Sequence, residues 1–501
     1  MMPNEKLALH LHKRDLLRGA AALALAGVLP VRLVAQAAPV LRKRLNLLFI
    51  TADDLDWSVL GFMGGRMNLT PNLDALAARS HRFVNNRTVA PICMPSRQAF
   101  MSGLLPHHNG GTGFIPMTDG TPSLTTILKA QGYFAGAIHK VDHMMPQSSF
   151  PWDFVQQGKG RHTLLQAQGA EVAIAEAEAQ SKPFFVQCNI NDPHRPFYGS
   201  PAAAEVDHGD AGPYKIAREV GPGDVVVPPM LDDLPPIRAE IAQYWNSVQR
   251  LDAAVGHILG ALRASGHQED TAIVFCADHG MPFPFSKATC YDHGTRVPVL
   301  ISWPGMGPAR EFRNLTTNLD ILPTVLELLG APPPPALDGR SWMPIIKGES
   351  GGTQEFVFTY VNEVSSGLSY PTRAVQDDRY SLIFSAWADG KLTLRLESML
   401  GLTYPAMIEA ARTDANMAAR VKQYVYGVRL ALYDLKSDPG QRRNLIDDPA
   451  QKRRAARMKD ILFQEMQRTK DPQLANYRSV LAGGSATVPQ DPDRFRLRGG
   501  E

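Results

Sequence analysis

The chain has 501 residues, of which 44% are apolar and 20% are charged, and its formal net charge is +3. This composition is typical of globular proteins, and the length suffices for one large domain with a smaller one. The first 37 residues carry five basic and two acidic side chains, so the remainder is close to neutral. Without a concentrated basic run, the sequence excludes a general positive field that would attract nucleic acid.

Residues 1–37 are predicted to be an export signal. The basic segment HKRDLLRG precedes an apolar run over 19–31, and AQA at 35–37 offers a small-residue cleavage site. Lys13 and Arg14, with the aspartate and leucines after them, resemble a twin-arginine signal in which lysine replaces one arginine. An ordinary secretory signal and an uncleaved membrane anchor are the alternatives. Because the apolar run is short for a membrane span, we expect an exported, periplasmic protein without a stable span after cleavage.

Apolar runs of strand length alternate with helical segments along the middle of the chain. LNLLFITADD is a continuous apolar run ending in two aspartates, which is typical of a buried parallel strand whose carboxyl end opens onto a site. The later helix–strand pairs are LTTILKAQGY with FAGAIHK, EVAIAEAEAQ with PFFVQCNIND, and a long helical segment with TAIVFCADHG. RVPVLISWPG adds a strand and LDILPTVLELLG a helix. This alternation predicts an α/β fold with a large, mainly parallel sheet sandwiched by helices.

The pattern changes beyond the proline-rich stretch APPPPALDGRSWMP. EFVFTYV, RYSLIFSA and KLTLRLES are typical of short strands that could pair antiparallel, and DILFQEMQ predicts a late helix. We therefore expect a larger domain over residues 43–346 and a smaller C-terminal α+β subdomain over 347–495.

Two polar clusters follow predicted strands. Asp53 and Asp54 come directly after LLFIT, and Asp278 and His279 follow VFCA. Adjacent carboxylates in a strand point to opposite faces, so both can reach one cation only if the chain has turned into a loop. Solvated loop carboxylates are the alternative. Since the carboxyl ends of parallel strands meet at one crevice, the clusters are expected to converge. Carboxylate ligands favour Ca²⁺ or Mg²⁺, and the imidazole also permits Mn²⁺ or Zn²⁺.

Four cysteines are present, and they show no metal-ligand spacing and no disulfide-rich density. Cys188 and Cys276 lie in apolar runs of strand length and are predicted to be small buried residues. Cys93, in VAPICMPSRQAFMSG, precedes an apparent helix start, and Arg97 follows four residues later. Both features favour a thiolate, so Cys93 is a candidate nucleophile, with an ordinary buried cysteine as the alternative.

CMPSR fits the C-x-P-S-R signature of the sulfatase family, within the alkaline-phosphatase-like superfamily, and SGLLPHHNG resembles the segment that follows this signature. The resemblance covers most of the chain after the signal. It is carried by the ordered motifs NLLFITADD, TPNLDALAARS, KVDH, NDPHRPF, ADHG, GTRVPVLISWPG, LDILPTVLELLG and LYDLKSDPGQRRNL. In this family a maturation enzyme oxidises the signature cysteine to Cα-formylglycine.

The resemblance implies a metal site and a nucleophile. The residues that match the divalent-cation ligands, usually of calcium, with Mg²⁺ or Mn²⁺ as alternatives, are Asp53, Asp54, Asp278, His279 and the modified Cys93. Cys93, as formylglycine, matches the nucleophile, and Arg97 matches the residue that holds the modified side chain. The resemblance makes residues 43–346 the catalytic sulfatase domain, with the C-terminal subdomain completing the site.

Four further basic residues match family positions. Lys140 and His143, in HKVDH, match a lysine–histidine pair whose commoner family spacing is G-K-x-H, whereas K-x-x-H resembles iduronate-sulfatase-like members. His194 in NDPHRPF matches the histidine that contacts the sulfate, and Lys287 in GMPFPFSKAT matches the basic residue after the metal-binding aspartate. DPHRPF and GMPFPFSKATCY resemble sulfamidase-like members.

The resemblance therefore implies a sulfatase that hydrolyses sulfate esters or sulfamates of a sulfated small molecule or saccharide. A hydrated formylglycine has two hydroxyls: one attacks sulfur, and the other loses a proton, to His143, as sulfate leaves. Lys287 or His194 is implied as the acid that protonates the leaving atom. A phosphonate monoester or phosphodiester hydrolase of the same superfamily and a non-catalytic anion-binding relative are the alternatives. The expected protein partner is a formylglycine-generating maturation enzyme.

Overall fold

The computed structural model describes residues 44–490 apart from 159–160, 207–215, 217 and 350–352. The predicted export signal lies outside the described residues. No helix among the described residues is both long enough and apolar enough to cross a membrane.

A mixed, mainly parallel sheet forms the centre of the fold. The strands up to residue 317 are β1 Asn46–Ala52, β2 His81–Phe83, β3 Asn86–Arg87, β4 Phe134–Ile138, β5 Phe154–Gln156, β6 Phe184–Ile190, β7 Thr271–Ala277, β8 Val299–Ser302, β9 Glu311–Phe312 and β10 Thr316–Thr317. Eight of them form one sheet in the order β5-β4-β6-β1-β7-β8-β2-β9. β1 is parallel to β6 and β7, whereas β8 is antiparallel to β7 and β2. The short strands β3 and β10 pair separately.

Helices cover both faces of this sheet. The helices up to residue 347 are α1 Pro71–Ala78, α2 Cys93–Ser102, α3 Pro106–Asn109, α4 Leu124–Ala130, α5 Thr163–Ala179, α6 Pro201–Val206, α7 Pro235–Ala264, α8 Asp292–Thr295, α9 Ile321–Leu329 and α10 Met343–Lys347. Successive residues of β1 face opposite cores: Leu48 and Ile50 pack with α5 and α7, and Leu47 and Phe49 pack with α2, α4 and α9. Every residue of β1, β6 and β7 is buried, which explains their continuous apolar runs. The predicted α/β fold is confirmed.

The C-terminal part carries its own antiparallel sheet. Its strands are β11 Val357–Glu363, β12 Ser369–Gln376, β13 Tyr380–Ser385 and β14 Leu430–Asp434, paired in that order. Its helices are α11 Thr403–Ala410, α12 Ala415–Tyr426, α13 Lys452–Arg468 and α14 Leu474–Leu481. Helices α13 and α14 pack on one face of the sheet through residues such as Met458, Leu462 and Tyr477.

The strand predicted for KLTLRLES is wrong. Residues 391–396 are irregular, and one turn of 3₁₀ helix, Glu397–Met399, follows. Leu394 and Leu396 are buried in the core that β1 shares with α7. The alternation of leucines in this segment therefore results from the burial of one of its sides and not from pairing in a sheet. Leu394 donates its backbone N–H to Val425 of α12, so the segment packs beside a helix without joining a sheet. The strands β12 and β14 were not predicted.

Candidate active site

Three adjacent strands deliver the polar clusters to one edge of the sheet. Ala52, the last residue of β1, lies in register with Ala277 of β7 and with Ile190 of β6. Asp53 and Asp54 therefore emerge beside Asp278 and His279, which directly follow β7. Asp54 has a left-handed backbone with φ of 66°, so the chain turns immediately after the strand. This turn meets the condition for both carboxylates to reach one cation.

Four side chains form a compact donor set at this edge. The ligand atoms of Asp53, Asp54, Cys93 and His279 all lie within 4.8 Å of one another, and all four residues are buried. His279 Nε2 is 3.4 Å from Asp54 Oδ1 and 3.1 Å from Cys93 Sγ. Asp53 Oδ1 is buried and accepts no hydrogen bond from the described residues. Because a buried carboxylate oxygen needs a partner, this set fits a divalent cation with oxygen and nitrogen ligands.

Asp278 lies against the same set, with Oδ1 3.7 Å from His279 Nε2. Its Oδ1 accepts the backbone N–H groups of Asp54 at 3.2 Å and His279 at 2.9 Å. Its Oδ2 accepts Arg97 Nε at 3.1 Å and pairs with Arg97 Nη2 at 3.0 Å. Asp278 thus fixes the turn and Arg97, and its role as a cation ligand stays a prediction.

Arg97 is fully buried on α2, one helical turn after Cys93 and on the same face. Its Nη1 donates to Thr51 Oγ1 at 2.9 Å and to Asn189 Oδ1 at 2.8 Å. Burial alone would lower the pKa of Arg97, but the carboxylates of Asp278 and Asp53 outweigh it and raise that pKa. Thr51 and Asn189 were missed by the sequence analysis, although a polar residue inside a buried apolar strand is a usable signal.

Cys93 is the first residue of α2, so the helix begins at this cysteine and not after it as predicted. Burial and the carboxylate of Asp53 raise its pKa well above the ordinary value, against the opposing effect of Lys287. Burial and these carboxylates therefore oppose the thiolate that the helix start was expected to favour, and the role of Cys93 as a nucleophile stays a prediction. The other cysteines, Cys188, Cys276 and Cys290, are free and buried, which confirms the prediction for the first two.

The predicted basic residues lie together in a cavity of about 230 Å³ above this set. Cys93, Lys140, His143, His194 and Lys287 all line it. Lys140 pairs with Asp53, and Lys287 Nζ lies 3.0 Å from Asp54 Oδ2.

The protonation states of these groups differ. Burial alone would lower the pKa of Lys287, but Asp54 together with the other negative neighbours, such as Glu397, outweighs burial and raises that pKa well above the ordinary value. Burial alone would also lower the pKa of Lys140, but the charge and hydrogen bond of Asp53, together with a further negative neighbour, raise it. Burial lowers the pKa of His194 to about 4, and burial together with Lys140 lowers that of His143 further below its ordinary value. The cavity therefore offers two ammonium groups and two neutral imidazoles at neutral pH.

Glu397 also lines this cavity and was missed by the sequence analysis. Its Oε2 lies 2.8 Å from Lys287 Nζ, and its Oε1 lies 3.5 Å from His194 Nε2. Burial alone would raise the pKa of Glu397, but Lys287 and His194 outweigh it and lower the pKa to about 2. The only sequence signal was one acidic residue at the end of an alternating apolar run.

Gly280 allows a close backbone approach directly after His279. A Cβ at this position would lie 1.6 Å from the carbonyl oxygen of His293. We expect Gly280→Ala to lower the free energy of unfolding by about 3 kcal/mol, because one of the two backbone segments must move. Gly260→Ala in α7, where no atom lies within 4 Å of the new Cβ, should instead stabilise the protein by about 0.5–1 kcal/mol. Denaturant unfolding of both variants checks this contrast, and equal effects would contradict it.

Comparisons with known proteins agree with this geometry. The family model described as Sulfatase matches residues 45–331, and the one described as N-sulphoglucosamine sulphohydrolase, C-terminal, matches residues 278–391. Human N-sulphoglucosamine sulphohydrolase is 30% identical over 468 residues, which covers 85% of this chain and 91% of that protein. An ulvan-active sulfatase of Formosa agariphila is 26% identical, covering 81% of this chain and 76% of its own length.

Among solved structures, a 2-O GAG sulfatase superposes with a TM-score of 0.65 at 21% identity, covering 90% of this chain and 96% of that one. This likeness confirms the fold of a mainly parallel sheet with a smaller C-terminal antiparallel sheet. The family model and the human relative together show that the chain belongs to the sulfatase family. It is a sulfuric ester hydrolase.

Proposed function

We propose that this protein hydrolyses sulfate esters or sulfamates of a sulfated carbohydrate, with a formylglycine derived from Cys93 and a bound divalent cation. The observation that carries the proposal is that Cys93 lines one cavity with Lys140, His143, His194 and Lys287. The same Cys93 belongs to the set of four potential cation ligands. The human relative is a sulphohydrolase of N-sulphoglucosamine, and ulvan-active and GAG sulfatases are further relatives. These relatives support a carbohydrate as the substrate.

The proposed cation is Ca²⁺, with Mg²⁺ or Mn²⁺ as alternatives, held by Asp53, Asp54, His279 and the side chain at Cys93, with Asp278 as a further ligand. Such a cation supplies positive charge to the sulfate oxygens. Lys140 and Lys287 add two further positive charges on the cavity side. Lys140 pairs with the ligand carboxylate of Asp53, and Lys287 pairs with that of Asp54. Charge that develops on the sulfate oxygens is thereby met by preorganised groups.

The proposed modification accounts for the position of Cys93. A hydrated formylglycine supplies two hydroxyls on one carbon, one to attack sulfur and one whose proton loss allows sulfate to leave. The unmodified thiol has a raised pKa and lacks a second hydroxyl, so it fits a precursor better than a thiolate nucleophile. Arg97 lies on the same helix face and holds the turn beneath this side chain through Asp278.

Proton transfer falls to the cavity histidines and Lys287. His143 is neutral because burial and Lys140 lower its pKa, so it can accept the proton from the second hydroxyl. Lys287 is protonated at neutral pH and is the stronger candidate for donating a proton to the leaving oxygen or nitrogen. His194 is neutral, and its Nδ1–H donates to the carbonyl oxygen of Arg195 at 2.6 Å, so its Nε2 is left as a hydrogen-bond acceptor and has no proton to give to the leaving atom.

The chain organisation belongs to the same proposal. Residues 43–346 form the catalytic domain, and residues 347–495 form a subdomain that completes the site, because Val364, Ser365 and Glu397 line the cavity with Cys93. The signal over 1–37, export to the periplasm and a formylglycine-generating partner enzyme are further parts of this proposal.

Peptide mass spectrometry across Cys93 tests the proposal first. On protein coexpressed with a formylglycine-generating enzyme, conversion should lower the peptide mass by about 18 Da, since a carbonyl oxygen replaces SH and H. Kinetics on sulfated saccharides and on matched phosphonate monoesters then separate a sulfatase from a phosphonate hydrolase. An unmodified thiol in a preparation that hydrolyses sulfate esters would contradict the mechanism.

Removal of divalent cations is expected to lower the thermal unfolding midpoint. At a free Ca²⁺ concentration of about 100 times Kd, binding should stabilise the folded state by about 2.7 kcal/mol. Thermal scans with chelator and with added Ca²⁺, Mg²⁺ or Mn²⁺ measure this shift. Asp53→Asn serves as the matched variant, because it keeps the size of the side chain and should abolish most of the Ca²⁺-dependent shift. A midpoint that no cation changes would contradict the proposed site.

A further inference from the structure

Glu397 places a carboxylate in the wall of a cavity that otherwise presents positive charge. Its side chain is 24% exposed, and in the cavity wall it contacts Lys287 and lies beside His194. A carboxylate beside an anionic substrate repels that substrate unless it also makes a favourable contact with it. Its presence among the groups that are proposed to bind sulfate therefore calls for a function of its own.

The segment that carries Glu397 is held in place on both sides. The hydroxyl of Ser398 lies 2.6 Å from the hydroxyl of Tyr424 on α12. Thr403 donates its backbone N–H at 2.7 Å to the buried carboxylate of Glu240, which also pairs with Arg195 beside His194. Because these contacts tie the segment to α7 and α12, the Glu397 carboxylate stays at the cavity wall.

The two oxygens of Glu397 are in different situations. Oε2 accepts the contact from Lys287 Nζ at 2.8 Å. Oε1 is buried and receives no hydrogen bond from the described part of the chain, and His194 Nε2 lies 3.5 Å away from it. A buried carboxylate oxygen without a donor is costly, so a donor on the bound substrate would satisfy it.

We propose that Glu397 is a specificity-determining residue whose Oε1 accepts a hydrogen bond from an N–H or O–H group at, or next to, the substrate atom bonded to sulfur. This inference rests on the proposed function. The bridging oxygen of a sulfate ester has no hydrogen, whereas the nitrogen of a sulfamate carries one. A hydroxyl on the neighbouring sugar carbon offers the same chemistry. The site therefore selects sulfated sugars with such a donor and disfavours those without one.

Three small sulfated sugars distinguish a sulfamate N–H from a neighbouring hydroxyl as the group that donates to Glu397. Glucosamine N-sulfate has an N–H on the linking atom, glucose 3-O-sulfate has hydroxyls on both neighbouring carbons, and glucose 6-O-sulfate has neither. We expect E397Q to lower kcat/KM on a donor-bearing sugar about 10- to 100-fold more than on glucose 6-O-sulfate, because a charge-assisted hydrogen bond becomes a neutral one. An inhibition constant replaces kcat/KM for any sugar that the wild type does not turn over. A selective loss on the N-sulfate identifies the sulfamate N–H as the donor, and one on the 3-O-sulfate identifies the hydroxyl.

The matched control is E409Q on α11, where an exposed carboxylate pairs with Arg412. E409Q should leave kcat/KM, or the inhibition constant that replaces it, unchanged for all three sugars. Equal losses by E397Q on all three sugars, or no loss, would overturn the inference, since Glu397 would then act through Lys287 and His194 or not at all. If E397Q unfolds below the assay temperature, the kcat/KM values of the wild type on the three sugars test the inference instead. A wild type that prefers glucose 6-O-sulfate would overturn the inference and leave the proposed function intact. Formylglycine-bearing protein that hydrolyses no sulfated sugar would overturn the proposed function itself.

Discussion

Cys93→Ala is expected to lower kcat on sulfated substrates by at least about 10⁴-fold, as loss of a covalent nucleophile does in other hydrolases. The reason is positional, because Cys93 lines the cavity and its Sγ lies 3.1 Å from Nε2 of His279. Without a side chain that can be converted to formylglycine, the cavity keeps its positive wall but has no attacking group. The fold should persist, because the substitution removes one sulfur atom from the first turn of α2.

Cys93→Ser sharpens this prediction. Serine supplies one hydroxyl and no second one, so it lacks the route that expels sulfate, and steady-state turnover should fall about as far as in the alanine variant. The control is Cys188→Ala in β6, which removes a buried thiol away from the cavity and should retain most of the wild-type kcat. Steady-state kinetics with mass spectrometry of each protein provide the measurement. A serine variant with more than about a tenth of wild-type kcat would contradict the proposed release step.

The convergence of the site could be predicted because it depends on strand ends. The runs that became β1 and β7 are continuous and apolar, and each is followed at once by its polar pair, so sheet topology alone brings Asp53 and Asp278 together. The motif resemblance then added Lys140, His194 and Lys287, and all three line the cavity.

Other features could not be predicted, because they depend on contacts between distant segments. Glu397 reaches Lys287 from a segment more than 100 residues later, and nothing in KLTLRLES marks it as a cavity residue. The alternating leucines of that stretch even predicted a strand, since alternation reports burial on one side and not sheet pairing. The protonated thiol of Cys93 likewise depends on burial and on carboxylates brought from β1 and β7. A helix start seen in the sequence carries no information about them.

Arg97→Met should destabilise the protein by about 3–5 kcal/mol, the usual cost of leaving one partner of a buried ion pair without the other. Arg97 and Asp278 are both fully buried, and the guanidinium also satisfies Thr51 and Asn189. The substitution therefore leaves the Asp278 carboxylate without its cationic partner and removes one donor each from Thr51 and Asn189. Activity should fall as well, because Asp278, which holds the turn beneath Cys93, loses its contact with Arg97. Denaturant unfolding and kcat measured on the same preparations report both effects.

A double variant shows whether the lost stability reflects the unpaired charge. Arg97→Met combined with Asp278→Asn should recover part of the lost stability without recovering activity, because the buried negative charge is gone while the site is still altered. Arg412→Met, which breaks an exposed pair with Glu409, is the matched control and should change stability little. If Arg97→Met costs less than about 1 kcal/mol in Ca²⁺ but the expected amount in chelator, the cation itself compensates Asp278. That result would make Asp278 a ligand as well as the partner of Arg97.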